Sequence, residues 1–205
     1  MGSRAARADD LLDRARHEAK GSTRRKLLTA AAFAAAALDD AVLVGGTAVE
    51  LHTGSYRPTD IDLVGYRRRG YSARLQGLGF EKSGRHWLLE FGDGETLAIE
   101  VPDDRLGDFA VEPPMIVDLE PGTLAVISLN DLMMDRLLQA TGGESVTLEE
   151  ATRLAVASYP EIGWAELVER AAGAAAARSS AGEALPDVLA TVRRRARGLL
   201  RRSRG

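Results

Sequence analysis

The chain has 205 residues, 27 Lys and Arg against 30 Asp and Glu for a formal net charge of −3, and no cysteine. That length can bury a substantial core, and the absence of thiols excludes disulfides and thiolate metal sites. The apolar run Leu27–Leu38 is alanine-dominated and too short to span a bilayer, and charged residues recur throughout the N-terminal segment up to Lys26, so a cytoplasmic protein without a membrane segment or secretory signal is expected.

In chain order, helices are predicted over Ala8–Lys20 and Thr23–Leu38. An apolar strand, Ala41–Val44, then runs into Gly45-Gly46-Thr47. A short helix follows, expected to turn Glu50 and His52 outward, and a second strand carries Asp60-Ile61-Asp62-Leu63. Tyr71–Leu78 reads as a helix stopped by Gly79. Strands are predicted at Phe80–Ser83, His86–Phe91 and Leu97–Val101, with Gly92-Asp93-Gly94 as a turn. Pro113-Pro114 breaks the chain, and Met115–Leu119 and Leu124–Ile127 read as short strands around Glu120-Pro121-Gly122-Thr123. Ser128 opens a helix through Gln139; the remainder is helical, with breaks expected at Gly142-Gly143, Pro160 and Pro186. The pattern predicts an α/β (α+β) protein, a mixed sheet flanked by helices. Residues 1–40 would be N-terminal helices packing on a core at 41–128, followed by a helical region at 129–205.

Chemistry concentrates between Val42 and Val64. Side chains alternate across a strand, so Asp60 and Asp62 share one face while Ile61 and Leu63 share the other. Two carboxylates held roughly 6 to 7 Å apart repel, and a cation between them relieves that repulsion. Hard oxygen ligands select Mg²⁺ or Mn²⁺, and Mg²⁺ takes only one or two protein carboxylates while completing its shell with water and substrate phosphates. Gly45 and Gly46 permit close backbone approach, and a helix starting near Thr47 would aim N–H groups at phosphate. A nucleoside triphosphate is therefore the expected ligand. The three histidines lack any zinc-like spacing.

The segment Val44–Leu63 resembles the signature of the DNA polymerase β-like nucleotidyltransferase superfamily: a hydrophobic residue, Gly, Gly or Ser, a gap, then Asp, hydrophobic, Asp or Glu, hydrophobic. Thirteen residues separate Gly46 from Asp60, at the long end of that gap. Gly45-Gly46-Thr47 and Arg57-Pro58-Thr59-Asp60-Ile61-Asp62-Leu63 look most like the branch containing the AbiEii-type toxins and their minimal relatives. The resemblance implies a nucleotidyltransferase fold and a third carboxylate on a neighbouring strand, with Glu90, Glu100 and Asp103 as candidates. Parity favours Glu100, because Leu97, Ile99 and Val101 would share a buried face and leave Ala98 and Glu100 opposite. By resemblance, Asp60, Asp62 and Glu100 hold two metal ions, and a nucleoside monophosphate passes from an NTP to an acceptor hydroxyl by in-line displacement.

Other assignments stay open at this level. Thr47 either donates to a phosphate or satisfies its own helix, and Arg57 either reaches the triphosphate or is an exposed loop arginine. Arg136, on a helix resembling the one after the family's catalytic sheet, either faces the nucleotide or pairs with Asp135 or a nearby acid. The family's later basic-plus-aspartate element has no counterpart around Leu148–Leu154. Arg193–Arg204 holds seven arginines in twelve positions, which fits RNA or a solubilising helix end. The resemblance makes a tRNA 3′ end the first acceptor expected, in a toxin-antitoxin setting with a cognate protein partner. Protein and small-molecule hydroxyls remain open. The competing class is a non-catalytic module, antitoxin-like or RNA-binding, on the same fold.

Overall fold

A computed structural model describes residues 4–54, 58–143, 145–176 and 180–203. Two compact units emerge: residues up to Asp108 together with Pro113–Ile127, and Phe109–Glu112 together with the chain from Ser128 onward. No helix of the described residues is long and apolar enough to cross a membrane.

The first unit is a mixed α/β layer. Helices α1 (Arg4–His17) and α2 (Thr23–Ala37) precede β1 (Leu38–Val44), α3 (Gly45–Thr53) and β2 (Asp60–Arg67). Next come α4 (Tyr71–Gly77), β3 (Glu81–Ser83), β4 (His86–Glu90), β5 (Thr96–Glu100), β6 (Met115–Asp118) and β7 (Thr123–Val126). The seven strands form one sheet in the order β3-β4-β5-β2-β1-β7-β6. β2 runs antiparallel to β1 and parallel to β5, while β1 is parallel to β7.

One sheet face is apolar and fully covered. Leu43, Ile61, Leu63 and Ile99 are wholly buried on it, with Trp87 at 3 % exposure. Helix α2 lies against this face and carries α1 on its other side, where Ala8, Leu11, Leu12 and Ala15 are buried. A helix buried on both sides needs small side chains for close approach, which accounts for the alanines of α2. Phe33 meets Phe80 edge-on at 5.4 Å between ring centroids and closes the layer over α4. Ser22 caps α2 by accepting the Arg25 N–H.

Three expectations require correction. Helix α1 begins at Arg4 and ends at His17, shifted from the predicted Ala8–Lys20. Strand β1 begins at Leu38 because Asp39 and Asp40 belong to it as a bulge: the register shifts between Asp39 and Val42, and Asp40 takes a φ of +50°. Two exposed aspartates hid that start. Pro186 ends no helix: it is the seventh residue of α8, which runs on to Arg202, so tertiary packing of Leu185 and Leu189 beside it overrides the stop signal.

The second unit is helical: α5 (Leu129–Ala140), α6 (Ser145–Ala157), α7 (Trp164–Ala176) and α8 (Ser180–Arg202). Its centre of polar organisation is Asp131, fully buried in the first turn of α5. The Asp131 carboxylate accepts the backbone N–H of Val111 at 3.2 Å and of Glu112 at 2.9 Å, and Arg170 Nη2 of α7 at 2.6 Å. Asn130 donates to Glu112 at 2.7 Å and accepts the Gly163 N–H at 2.9 Å. The segment Phe109–Glu112 is thus fastened to the helices by buried charge. Asp131→Ala removes a fully buried carboxylate that accepts from Arg170 and from the Val111 and Glu112 amides, leaving Arg170 only Glu166 and the Phe109 carbonyl, so a loss of about 3 kcal/mol is expected for this unit. Urea unfolding followed by Trp164 fluorescence in a Trp87→Phe background checks it; an unchanged midpoint would refute the assignment.

Candidate active site

The open face of the sheet holds the carboxylates. In the β1–β2 ladder Asp62 stands opposite Val44, and in the β2–β5 ladder Asp62 stands opposite Glu100 and Asp60 opposite Ala98. Partners in register share a face, so Asp60, Asp62 and Glu100 lie on the side opposite Ile61 and Ile99. Glu90, further back on β4, is exposed and paired with Thr96, and Asp103 lies beyond β5.

Glycine 45 shapes the pocket around Asp62. It adopts φ +66°, and a β-carbon there would sit 2.0 Å from Asp62 Oδ2. The Asp62 carboxylate therefore occupies the space that the missing side chain leaves at the entry to α3. Gly46 follows as the second helical residue and is half-buried. Val44 supplies no side-chain cap, so the first turn of α3 opens without side-chain acceptors from its N-cap. Thr47 is fully buried, and its hydroxyl donates to the Asp60 carbonyl at 2.9 Å. That bond ties the first turn of α3 to the first residue of β2 and uses the only hydroxyl proton Thr47 has.

The outward orientation expected for Glu50 and His52 is wrong. Glu50, only 6 % exposed, accepts Lys26 Nζ at 2.8 Å and Thr23 Oγ1 at 2.9 Å, both from α2. His52 Nε2 donates to the Ile127 carbonyl at 3.2 Å. A short helix gripped between α2 and the end of β7 has little outward face, and its polar residues find buried partners instead.

Glu100 has a second set of neighbours. His86 of β4 stands in register with it. Glu100 Oε2 is 3.2 Å from Arg85 Nε and 3.4 Å from His86 Nε2. Lys82, on the opposite face by register, lies over the Trp87 ring at 5.1 Å. Burial and the repulsion of Arg67 hold the Lys82 ammonium below the usual lysine range, against the attraction of Glu100. Among the described residues, no three histidine or acidic side chains converge as a metal site. The Glu100 backbone is beside Asp62, while its carboxylate meets Arg85 and His86 of the β3–β4 hairpin. Sequence reading missed Arg85 and His86, and only the hairpin register could have revealed them.

Arg136 belongs to the second unit. Its guanidinium meets Asp135 at 3.4 Å, Glu150 at 3.5 Å and Gln139 Oε1 at 2.9 Å, while Nε is buried without a hydrogen-bond partner among the described residues. Burial raises the Asp135 carboxyl, which Arg136 and Gln139 pull back down. Arg57 lies outside the described residues.

No family model matches the chain, and no curated protein does. Two solved structures are similar to it. An antigenic nucleotidyltransferase-like protein from Paracoccidioides brasiliensis has a TM-score of 0.44 at 15 % identity, over 56 % of this chain and 66 % of that one. The antibiotic-resistance factor ANT(2'')-Ia has a TM-score of 0.37 at 21 % identity, over 89 % of this chain and 95 % of that one.

Gly45→Ala forces a left-handed alanine and pushes its methyl into Asp62, so a stability loss of about 2 kcal/mol or more is expected. Thermal or urea unfolding at wild-type values would contradict it. Burial lowers the His52 pKa, against the smaller opposing effect of the Ile127 carbonyl. Folded His52 thus binds its proton less readily than the unfolded chain, so its contribution is complete above about pH 6.5 and is lost as pH falls below that. His52→Gln should flatten the fall in urea midpoint between about pH 6.5 and 5, and a slope identical to wild type would remove His52 from the account.

Proposed function

We propose that the chain is a metal-dependent nucleotidyltransferase that moves a nucleoside monophosphate from an NTP to an acceptor hydroxyl. The observation that carries this reading is the register of Asp62 between Val44 and Glu100, with its carboxylate in the Gly45 cradle. Asp60 and Asp62 offer the hard oxygen donors that Mg²⁺ or Mn²⁺ accepts, in the small number Mg²⁺ requires. Glu100 joins them when its side chain turns from Arg85 and His86 toward Asp62. Asp60, Asp62 and Glu100 would hold the cation, which would neutralise phosphate charge when bound.

The chain's own groups do the rest. Backbone N–H groups at Gly45 and Gly46 and the positive end of α3 face the triphosphate. Thr47 acts through the Asp60 carbonyl, holding α3 and β2 at fixed separation. Glu100 accepts the proton of the incoming hydroxyl, pyrophosphate leaves, and the monophosphate is joined to the acceptor oxygen. Positioning and charge neutralisation supply such catalysis without a covalent nucleophile. Arg57 remains a candidate for the triphosphate. Arg136 likewise remains a candidate for the nucleotide. The acceptor we favour is an RNA hydroxyl, a tRNA 3′ end first, with the AbiEii-type toxin role and a cognate protein partner as the corresponding biology.

A second reading draws on the same carboxylate. The pairing of Glu100 with Arg85 and His86 suits a non-catalytic module that binds nucleotide or RNA without turnover. Incubation with Mg²⁺, each labelled NTP and total RNA separates the two. Wild type should transfer label, while Asp60→Asn and Asp62→Asn should lose activity at least 10³-fold with an unchanged unfolding midpoint. Full activity in either variant overturns the metal assignment. NTP binding without label transfer to any acceptor selects the second reading.

A further inference from the structure

The arginine-rich end of the chain is an ordered surface. Helix α8 continues to Arg202, and Leu185, Leu189, Val192 and Ala196 bury one side of it against its neighbours in the second unit. At about 100° per residue, these four lie opposite Gly198. Arg195 and Arg202 then fall roughly 40° to 60° to one side of Gly198, and Arg194 and Arg201 roughly 40° to 60° to the other. The outward half of the helix is thus a glycine crest between two arginine rows, about 12 Å long from Arg194 to Arg202. Arg202 lies alongside that crest, its Nη2 4.0 Å from where a β-carbon on Gly198 would be.

Within the fold these four cations make little contact: Arg194 Nη2 donates to the Thr191 hydroxyl of its own helix at 3.4 Å. Arg193 stacks over Trp164 at 5.4 Å, and Arg197 Nε donates to the Tyr159 hydroxyl at 2.5 Å, which anchors both. By contrast Arg194, Arg195, Arg201 and Arg202 are exposed and enter no ion pair among the described residues. Grooves flank both rows. Between α7 and α8 a groove of about 470 Å³ has Arg193, Arg194, Arg197 and Arg201 in its wall and no carboxylate. Between α6 and α8 a second, of about 330 Å³, carries Arg153, Arg195 and Arg202, with Glu149 already 3.7 Å from Arg153.

We infer that the outer face of α8 docks the sugar–phosphate backbone of an RNA duplex. Charge complementarity selects a polyanion, because four unpaired arginines cluster on a chain of net charge −3. A membrane is disfavoured, since Leu185, Leu189, Val192 and Ala196 are buried in the unit and Leu199, the exposed large apolar residue among the described part of α8, is too little to insert. A stacked single strand is disfavoured too, because no aromatic residue occurs between Thr191 and Ser203. Gly198, on the crest, has no side chain to enter a DNA major groove and reach base edges, and the arginines stand on the two flanks, where they meet phosphates. A smooth ridge with phosphate donors on both flanks suits the wide, shallow minor groove of an A-form duplex. This surface extends the reading in which the acceptor is RNA, and binding to it is separable from catalysis.

Fluorescence anisotropy of the full chain with a labelled RNA hairpin, over a salt series, tests the surface. Arg194→Gln/Arg195→Gln/Arg201→Gln/Arg202→Gln should weaken binding at least tenfold and reduce the log–log salt slope by roughly three to four. The fourfold Lys variant should recover most of the affinity. Arg14→Gln/Arg16→Gln, compared with Arg195→Gln/Arg202→Gln, controls for net charge and should leave binding intact. Circular dichroism confirms that α8 persists in each. Asp60→Asn should bind the hairpin like wild type, so failure of the transferase reading would appear as lost activity with binding retained. Unchanged affinity in the fourfold Gln variant overturns the inference, as does tighter binding to a DNA duplex, to single-stranded RNA or to anionic phosphatidylserine vesicles than to the hairpin.

Discussion

Asp62 Oδ2 sits 2.0 Å from where a β-carbon on Gly45 would be, and the geometry of the candidate site rests on that shared space. Strand β1 must hand over to α3 close beside a carboxylate in the early part of β2, and a side chain at the junction would displace one or the other. With glycine at φ +66°, the helix can start directly against the carboxylate face. Thr47 then locks the arrangement through the Asp60 carbonyl. Below, Glu50 is clamped by Lys26 and Thr23 of α2. Helix α3 is therefore held from two sides, by β2 through Thr47 and by α2 through Glu50. A buried ion pair of this kind contributes geometry more reliably than net stability.

Glu100 stands between two opposing demands. Its strand position sets it beside Asp62, where a cation would draw the carboxylates together, while Arg85 and His86 draw its oxygen toward the β3–β4 hairpin. Arg85 is largely solvent-exposed at 73 % and Glu100 only 15 %. An exposed guanidinium gives a screened attraction that a divalent ion close to the carboxylate outweighs. The pairing is thus a weak competitor for Glu100, compatible with a side chain that changes partner when charge arrives between the strands.

How far the sequence revealed this depends on which forces act locally. The Gly45-Gly46 pair and the alternation of Asp60 with Asp62 are visible because backbone conformation and strand parity are local properties, and parity alone placed Glu100 opposite Leu97 and Ile99. Glu50, His52 and Thr47 were obscure because their partners, Lys26, Ile127 and the Asp60 carbonyl, come from other elements. Asp39 and Asp40 hid the start of β1 since a bulge disregards the apolar pattern. Pro186 misled in the opposite direction: it lies inside α8 between the buried Leu185 and Leu189, and burial of that helix face, which comes from other elements, overrides a local stop signal. Arg85 and His86 required the register of β4 with β5, which no composition or spacing conveys.

The near-neutral net charge of −3 hides two local fields of opposite sign. Carboxylates dominate the open face of the first unit around Asp60, Asp62 and Glu100, and unpaired arginines dominate the outer side of α8 in the second. Salt screens charges over about 8 Å at physiological ionic strength, so a ligand responds to the patch it touches and not to the sum. Under the transferase reading proposed above, the two patches would divide the handling of polyphosphate: the carboxylate face would accept anionic substrate through a metal, and the arginine rows would accept it directly. Activity through the first should then depend on divalent cation, while association through the second should depend on ionic strength.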